Sequence, residues 1–308
     1  MARRPFFPPR RQPTQSRKKK AFILERTSAE EIRRIKLFGR AYLRLTWDYY
    51  SELAFQRAQI SDCLSAALLE ASGEDYEFHR WQRVVKLKYG LRPLSVAGSL
   101  KDPGGRFNIG DIDQSRYQAF PALYLAGDRA TALQETFGKE AVGGDDQLSF
   151  ALTRPDSIVA VSISGKIDSV LDLNKPERLE RFVDLIRTFE ISEHLRKRAQ
   201  ALRVTLPCLI TSVEDLIRGV LAPNWRLDSM GLDVPSPCQI LGQMVANAGI
   251  AGILFPSKYS GVGCLAVYPQ NFKETESWVQ LDDEAPAEMA IRRIDADVWE
   301  ERASDLSK

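Results

Sequence analysis

Gly104-Gly105-Arg106-Phe107-Asn108 is followed by Ala122-Leu123-Tyr124-Leu125-Ala126 and then by Thr131-Ala132-Leu133-Gln134-Glu135. In order, these segments read as a glycine turn, a buried strand and a short helix. Pro121 and Gly127 bound the strand. Asp128 stands where a helix running to Phe137 needs its N-cap, and Gly138 stands where that helix should close. An arginine, a tyrosine and a glutamate are thus carried on three consecutive elements.

Upstream, Ser28 and Glu31 have the spacing of a capping box. From there Ile32, Ile35, Phe38, Tyr42, Leu45, Tyr49 and Leu53 recur at steps of three and four, the signature of one apolar helix face. A second helix is expected over Ile60 to Ala71, ending near Gly73. Around Trp81, Arg83 and Val85 the period drops to two, which predicts a strand. Downstream, strands are expected at Leu148–Leu152, Ile158–Ser164, Ser169–Leu173, Ile250–Phe255 and Cys264–Tyr268. Helical stretches are expected at 176–203, Val213–Val220 and Cys238–Ala248. After about Lys273 the chain turns acidic, and the reading gives it no further β character.

Charge is unevenly distributed. Residues 1–20 carry eight bases and no acid, whereas residues 274–308 carry eleven acids against four bases. The prolines within the basic run predict a flexible arm over 1–26, read as a solvated tail in preference to a nucleic-acid-binding one. A nucleic-acid-binding or scaffold role for this arm ranks well below an enzyme, because no zinc finger, RNA-recognition motif or evident helix-turn-helix accompanies it. The four cysteines are scattered with no CxxC pair, as expected of reduced thiols in a cytoplasmic protein. With only two histidines, His79 and His194, and no cysteine near either, no metal site is expected. No apolar segment is long enough to span a membrane, and the basic start lacks the apolar core of a secretory signal.

The three linked segments resemble the RES domain, a family of NAD-consuming toxins named for its arginine, glutamate and serine. The eleven residues from Tyr124 to Glu135 match that family's spacing, and Pro237–Gly242 with Gly252–Ser257 resemble its C-terminal stretch. The resemblance implies an α+β fold, an ADP-ribosyltransferase-like mixed β core with surrounding helices, preceded by an N-terminal helical extension. It divides the chain into a basic arm (1–26), a helical extension (27–77), the RES domain (78–272) and an acidic C-terminal segment (273–308).

It also implies roles. Arg106 would fork onto phosphate oxygens, with Gly105 allowing close backbone approach and Asn108 beside it. Tyr124 would stack on the nicotinamide or the ribose. Glu135 would stay anionic beside Arg106, bind the ribose 2′-hydroxyl and stabilise the developing cation. Ser257 would touch ribose or phosphate, and it is not read as a nucleophile because no base stands near it in sequence. NAD enters as substrate and no cofactor is expected. Breaking the nicotinamide–ribose bond by hydrolysis or phosphorolysis is the leading activity, and ADP-ribose transfer to a protein acceptor is the alternative. Small RES toxins pair with an Xre-type helix-turn-helix antitoxin, which makes such a protein the expected partner. Eighteen residues separate Arg106 from Tyr124, longer than expected for these toxins, so Ile109–Phe120 is read as an insertion able to form a lid.

Overall fold

The structure is a computed structural model that describes residues 28–73, 75–137, 158–284 and 286–307. The expected arm at 1–26, the closing Gly138 and the strand at Leu148–Leu152 lie outside the described residues. The chain divides into two units at Arg44/Leu45. The described part of the first unit is the opening of helix α1 (Ala29–Gln59). Ser28 and Glu31 close the expected capping box reciprocally at 2.7 and 3.1 Å, and the Phe38 and Tyr42 rings stack one turn apart.

The second unit is built on one eight-stranded mixed sheet. Its strands are β1 (Tyr76–Lys86), β2 (Leu123–Ala126), β3 (Ile158–Ile167), β4 (Val170–Asp172), β5 (Gly252–Pro256), β6 (Gly263–Val267), β7 (Trp278–Leu281) and β8 (Arg293–Ile294), in the order β4-β5-β6-β2-β1-β3-β7-β8. Among the described strands only β4–β5 is parallel. Helices α2 (Ser61–Ala71), α3 (Arg129–Phe137), α4 (Glu180–Ile186), α5 (Glu193–Leu202), α6 (Val213–Val220), α7 (Arg226–Leu232), α8 (Pro237–Asn247) and α9 (Ala296–Leu306) complete it.

The strands sort their side chains by period two, as a sheet covered on both faces requires. Ile253, Phe255, Cys264 and Ala266 join one core with Leu64, Ala67, Leu68 and Ala71 of α2 and Cys238, Leu241 and Val245 of α8. Leu254, Leu265, Val267, Leu123 and Leu125 face the other core, with Val161, Ile163 and Leu306. Truncating such fully buried leucines to alanine costs about 2–5 kcal/mol each. Helix α2 is therefore part of the main core. A smaller cluster packs Leu45 and Tyr49 of α1 against Ile191, Leu195 and Ala199.

The expectation that β character ends near Lys273 is corrected. Strand β7 pairs with β3 from Ile163↔Leu281 to Lys166↔Trp278, and β8 pairs with β7. Only Val279 and Leu281 of β7 are buried, too short an alternation to stand out within an acidic run. Among the described residues no helix is long and apolar enough to cross a membrane.

Between β1 and β2 the ladder holds a single pair, Gln82↔Ala126, whereas β2 pairs with β6 along its whole length. A cavity opens beside that short ladder.

Candidate active site

The arginine loop, residues 103–108, is fixed from several sides. The Tyr124 ring lies flush against Gly105, where an added Cβ would meet it at 2.4 Å, so only glycine fits. The Tyr124 hydroxyl accepts the Phe107 N–H and donates to Asn108 Oδ1, both at 2.9 Å. Burial holds that phenol protonated, well above the usual tyrosine range. Asn108 Oδ1 also accepts the Gly105 N–H, while its Nδ2 donates to the carbonyls of Ser99 and Phe120.

Arg106 is buried. Its Nη1 donates to the Val220 and Ala222 carbonyls at 3.3 and 3.2 Å. Among the described residues it has no carboxylate partner, and its remaining N–H groups make no hydrogen bond. Its guanidinium lies 5.9 Å from the centre of the Trp225 ring, on which Arg226 also stacks, at 4.4 Å.

Glu135 comes from α3, which Asp128 caps by accepting the Thr131 N–H at 2.7 Å. One carboxylate oxygen accepts the Ser257 hydroxyl at 2.6 Å. Ser257 Oγ in turn accepts the amides of Tyr259 and Ser260. Burial, reinforced by the Glu135 carboxylate, pushes the neighbouring Cys264 thiol up to about 12, so it stays an unreactive thiol at neutral pH.

These elements enclose a cavity of about 260 Å³. Arg106, Tyr124, Glu135 and Gly105 all line it, together with Arg83, Trp225, Arg226, Gln82, Ser99 and Phe255. Three arginines and one carboxylate thus line the same cavity as Tyr124, Trp225 and Phe255, with no histidine among the described lining residues. Such a wall can hold a dianionic, flat-ended ligand and offset a cation forming beside the carboxylate.

Two expected contact residues stand elsewhere. Asn108 is wholly buried behind the loop with its amide fully engaged, so it pins Arg106 and does not line the cavity. Ser257 is also buried and off the lining; its hydroxyl is spent on Glu135. No residue of Ile109–Phe120 lines the cavity, and the segment is closed at its base by the Phe120 N–H to the Ile109 carbonyl. Its Arg116 stacks instead on Trp47 of α1, 4.1 Å from the ring centre, and the Trp47 indole N–H reaches the Leu232 carbonyl at the end of α7.

Arg83, Trp225 and Arg226 also line the cavity, and no motif singles them out. Arg83 is the most deeply engaged. Its guanidinium bridges the Tyr124 and Ser95 carbonyls at 3.1 and 2.7 Å, while its Nε is sealed from solvent without a partner. Burial draws its pKa down to about 10. An arginine in the apolar phase of a strand, alternating with Trp81 and Val85, was the available signal.

The fold and site define a mixed α+β protein with a cationic cleft holding one carboxylate. The chain belongs to the RES domain family, whose model matches residues 80–289. A chain in the crystal structure of the M. tuberculosis MbcT-MbcA toxin-antitoxin complex aligns over 77% of this chain and 95% of its own, with 17% identity and a TM-score of 0.39. No curated protein matches.

Proposed function

We propose that the cavity binds NAD and that the chain is a toxin which cleaves the nicotinamide–ribose bond. The observation that carries the reading is that Arg106, Tyr124 and Glu135, joined in sequence only by family spacing, line one cavity. Its volume of about 260 Å³ lies below the ~300–1,000 Å³ usual for small-molecule sites, so it would enclose one end of the dinucleotide.

In this reading the arginines grip the pyrophosphate, and the Tyr124 and Trp225 rings flank the flat groups. The Glu135 oxygen not held by Ser257 accepts the ribose 2′-hydroxyl. The C–N bond breaks with its electron pair passing to the nicotinamide, which leaves neutral and needs no acid. Glu135 offsets the charge left on the ribosyl carbon, and that carbon is then bonded either by water, which releases its proton to solvent, or by a phosphate oxygen. An Xre-type antitoxin remains the partner that family membership leads one to expect.

The test is incubation of the pure protein with NAD, with and without phosphate, resolving the products. Loss of NAD with release of free nicotinamide is expected, and Glu135→Gln should abolish it while the protein stays folded. Undiminished NAD loss in that variant, or no NAD loss by the native chain in either buffer, overturns the reading.

A further inference from the structure

Gln239, at the third position of α8, is wholly buried and has every hydrogen-bonding atom engaged. Its carbonyl oxygen accepts the Ser236 N–H at 3.0 Å, completing the helix's capping box, and also the Ser229 hydroxyl of α7 at 2.8 Å. Its amide nitrogen points the other way. It donates to the carbonyls of Pro103, Asn108 and Gly105 at 2.7, 3.0 and 3.2 Å, bracketing Arg106.

The capping box alone does not call for an amide. It uses only the oxygen, and a glutamate serves there as well as a glutamine, with the added attraction of the helix N-terminus for negative charge. What a glutamate lacks is the NH₂. Two N–H groups shared among three loop carbonyls are the reason this position needs glutamine. The helix lies close enough for this because Gly242, one turn on, has no side chain: a Cβ there would sit 2.1 Å from the Phe107 carbonyl oxygen. The same side chain also holds Ser229, on the helix that begins with Arg226.

We infer that Gln239 is a positioning residue for the anion-gripping wall: one buried amide fixes the arginine loop and ties it to the helix carrying Arg226. The role rests on the NAD reading for its biological substrate, but its physical content is the placement of two arginines for a diphosphate.

The test compares Gln239→Glu and the apolar, similarly sized Gln239→Met with the native protein. Gln239→Glu keeps the cap but sets a charged acceptor oxygen against the loop carbonyls, whereas Gln239→Met removes the N–H groups without adding charge, so a loss shared by both reports the missing N–H groups. Asn271→Leu is the control, since the Asn271 amide is likewise spent on carbonyls, those of Ala246 and Ile250, away from the arginine loop. Two readouts are taken at a temperature where each variant is folded by circular dichroism: the KM and kcat for NAD, and the affinity for inorganic pyrophosphate by calorimetry.

Loss of the loop's hydrogen bonds should raise the KM and weaken pyrophosphate binding about tenfold. The fall in kcat should be smaller, and Asn271→Leu should lose stability without either change. Native KM and native pyrophosphate affinity in a folded Gln239→Glu or Gln239→Met protein overturn the inference, as does an equal rise in Asn271→Leu. If the native chain leaves NAD intact, the NAD reading fails alone, and the pyrophosphate arm still decides the role of Gln239.

Discussion

The Ser257 hydroxyl donates to Glu135 Oε1 at 2.6 Å, joining side chains 122 residues apart in sequence. The carboxylate of the cavity is aimed by a strand end on the opposite side of the β2–β6 pair, not by its own helix.

Ser257→Ala should therefore act on Glu135. A hydrogen bond to a charged group contributes about 1.5–3 kcal/mol, so kcat for NAD loss should fall about tenfold or more with KM little changed. Ser257→Thr, which keeps the hydroxyl, should recover part of the loss. A native kcat in the alanine variant would show that the serine does not orient the carboxylate.

Tyr124→Phe separates ring from hydroxyl. The hydroxyl is committed to Phe107 N–H and Asn108 Oδ1, so its removal should cost about 1–3 kcal/mol of stability by leaving a loop amide unpaired. Stacking by the ring should survive, and kcat/KM at low temperature should stay within a few-fold of native. A collapse of kcat at unchanged urea midpoint would instead assign the hydroxyl to the chemistry.

Arg83→Met removes a cation with no carboxylate partner among the described residues and a sealed, unbonded Nε. Removing it relieves the cost of a buried, unpaired cation, which offsets the loss of its hydrogen bonds to the Tyr124 and Ser95 carbonyls. The urea midpoint should hold or rise while KM for NAD increases about tenfold or more, a single charge being worth that much near a phosphate in a screened cleft. A lower midpoint with unchanged KM would make Arg83 a structural brace only.

Alkaline pH should destabilise this chain through its buried thiols. Burial raises Cys238 to about 11 and Cys264 to about 12 from an ordinary 9.0. A raised thiol pKa favours the neutral native form, so this contribution is complete below pH 9 and is lost as pH climbs toward the folded values. Linkage gives about 1.4 kcal/mol per thiol at pH 10. Urea titrations at pH 8 and pH 10 should show that fall, and the Cys238→Ala/Cys264→Ala variant should lose most of the difference. An equal slope in the double variant would assign the effect to other groups.

Much of the architecture was legible because it is written in short-range pattern. The Ser28–Glu31 box, the Asp128 cap, the two-residue period around Trp81 and the bounded strand at Ala122–Ala126 each depend on residues within a turn or a strand's length. Strands β7 and β8 were not legible, since four and two residues carry too little alternation. The partner of β7, strand β3, lies more than a hundred residues away, and β8 joins the sheet through β7 alone. Among the site residues, Arg106, Tyr124, Gly105 and Glu135 were found through linked motifs. The same motifs point to Asn108 and Ser257, which the structure places off the cavity lining.

Residue type and spacing alone thus determined which local elements form, which family the chain resembles and which charged groups are available for chemistry. Tertiary structure decided which of them face the cavity: Arg83 and Arg226 do, while Asn108, Ser257 and Gln239 stand behind and hold those that do. The division has a physical cause. Helix and strand preferences are set by neighbours along the chain, but a buried hydroxyl or amide takes its role from whichever polar group packing brings within about 3 Å, and here that group lies 122 to 136 residues away for Ser257 and Gln239.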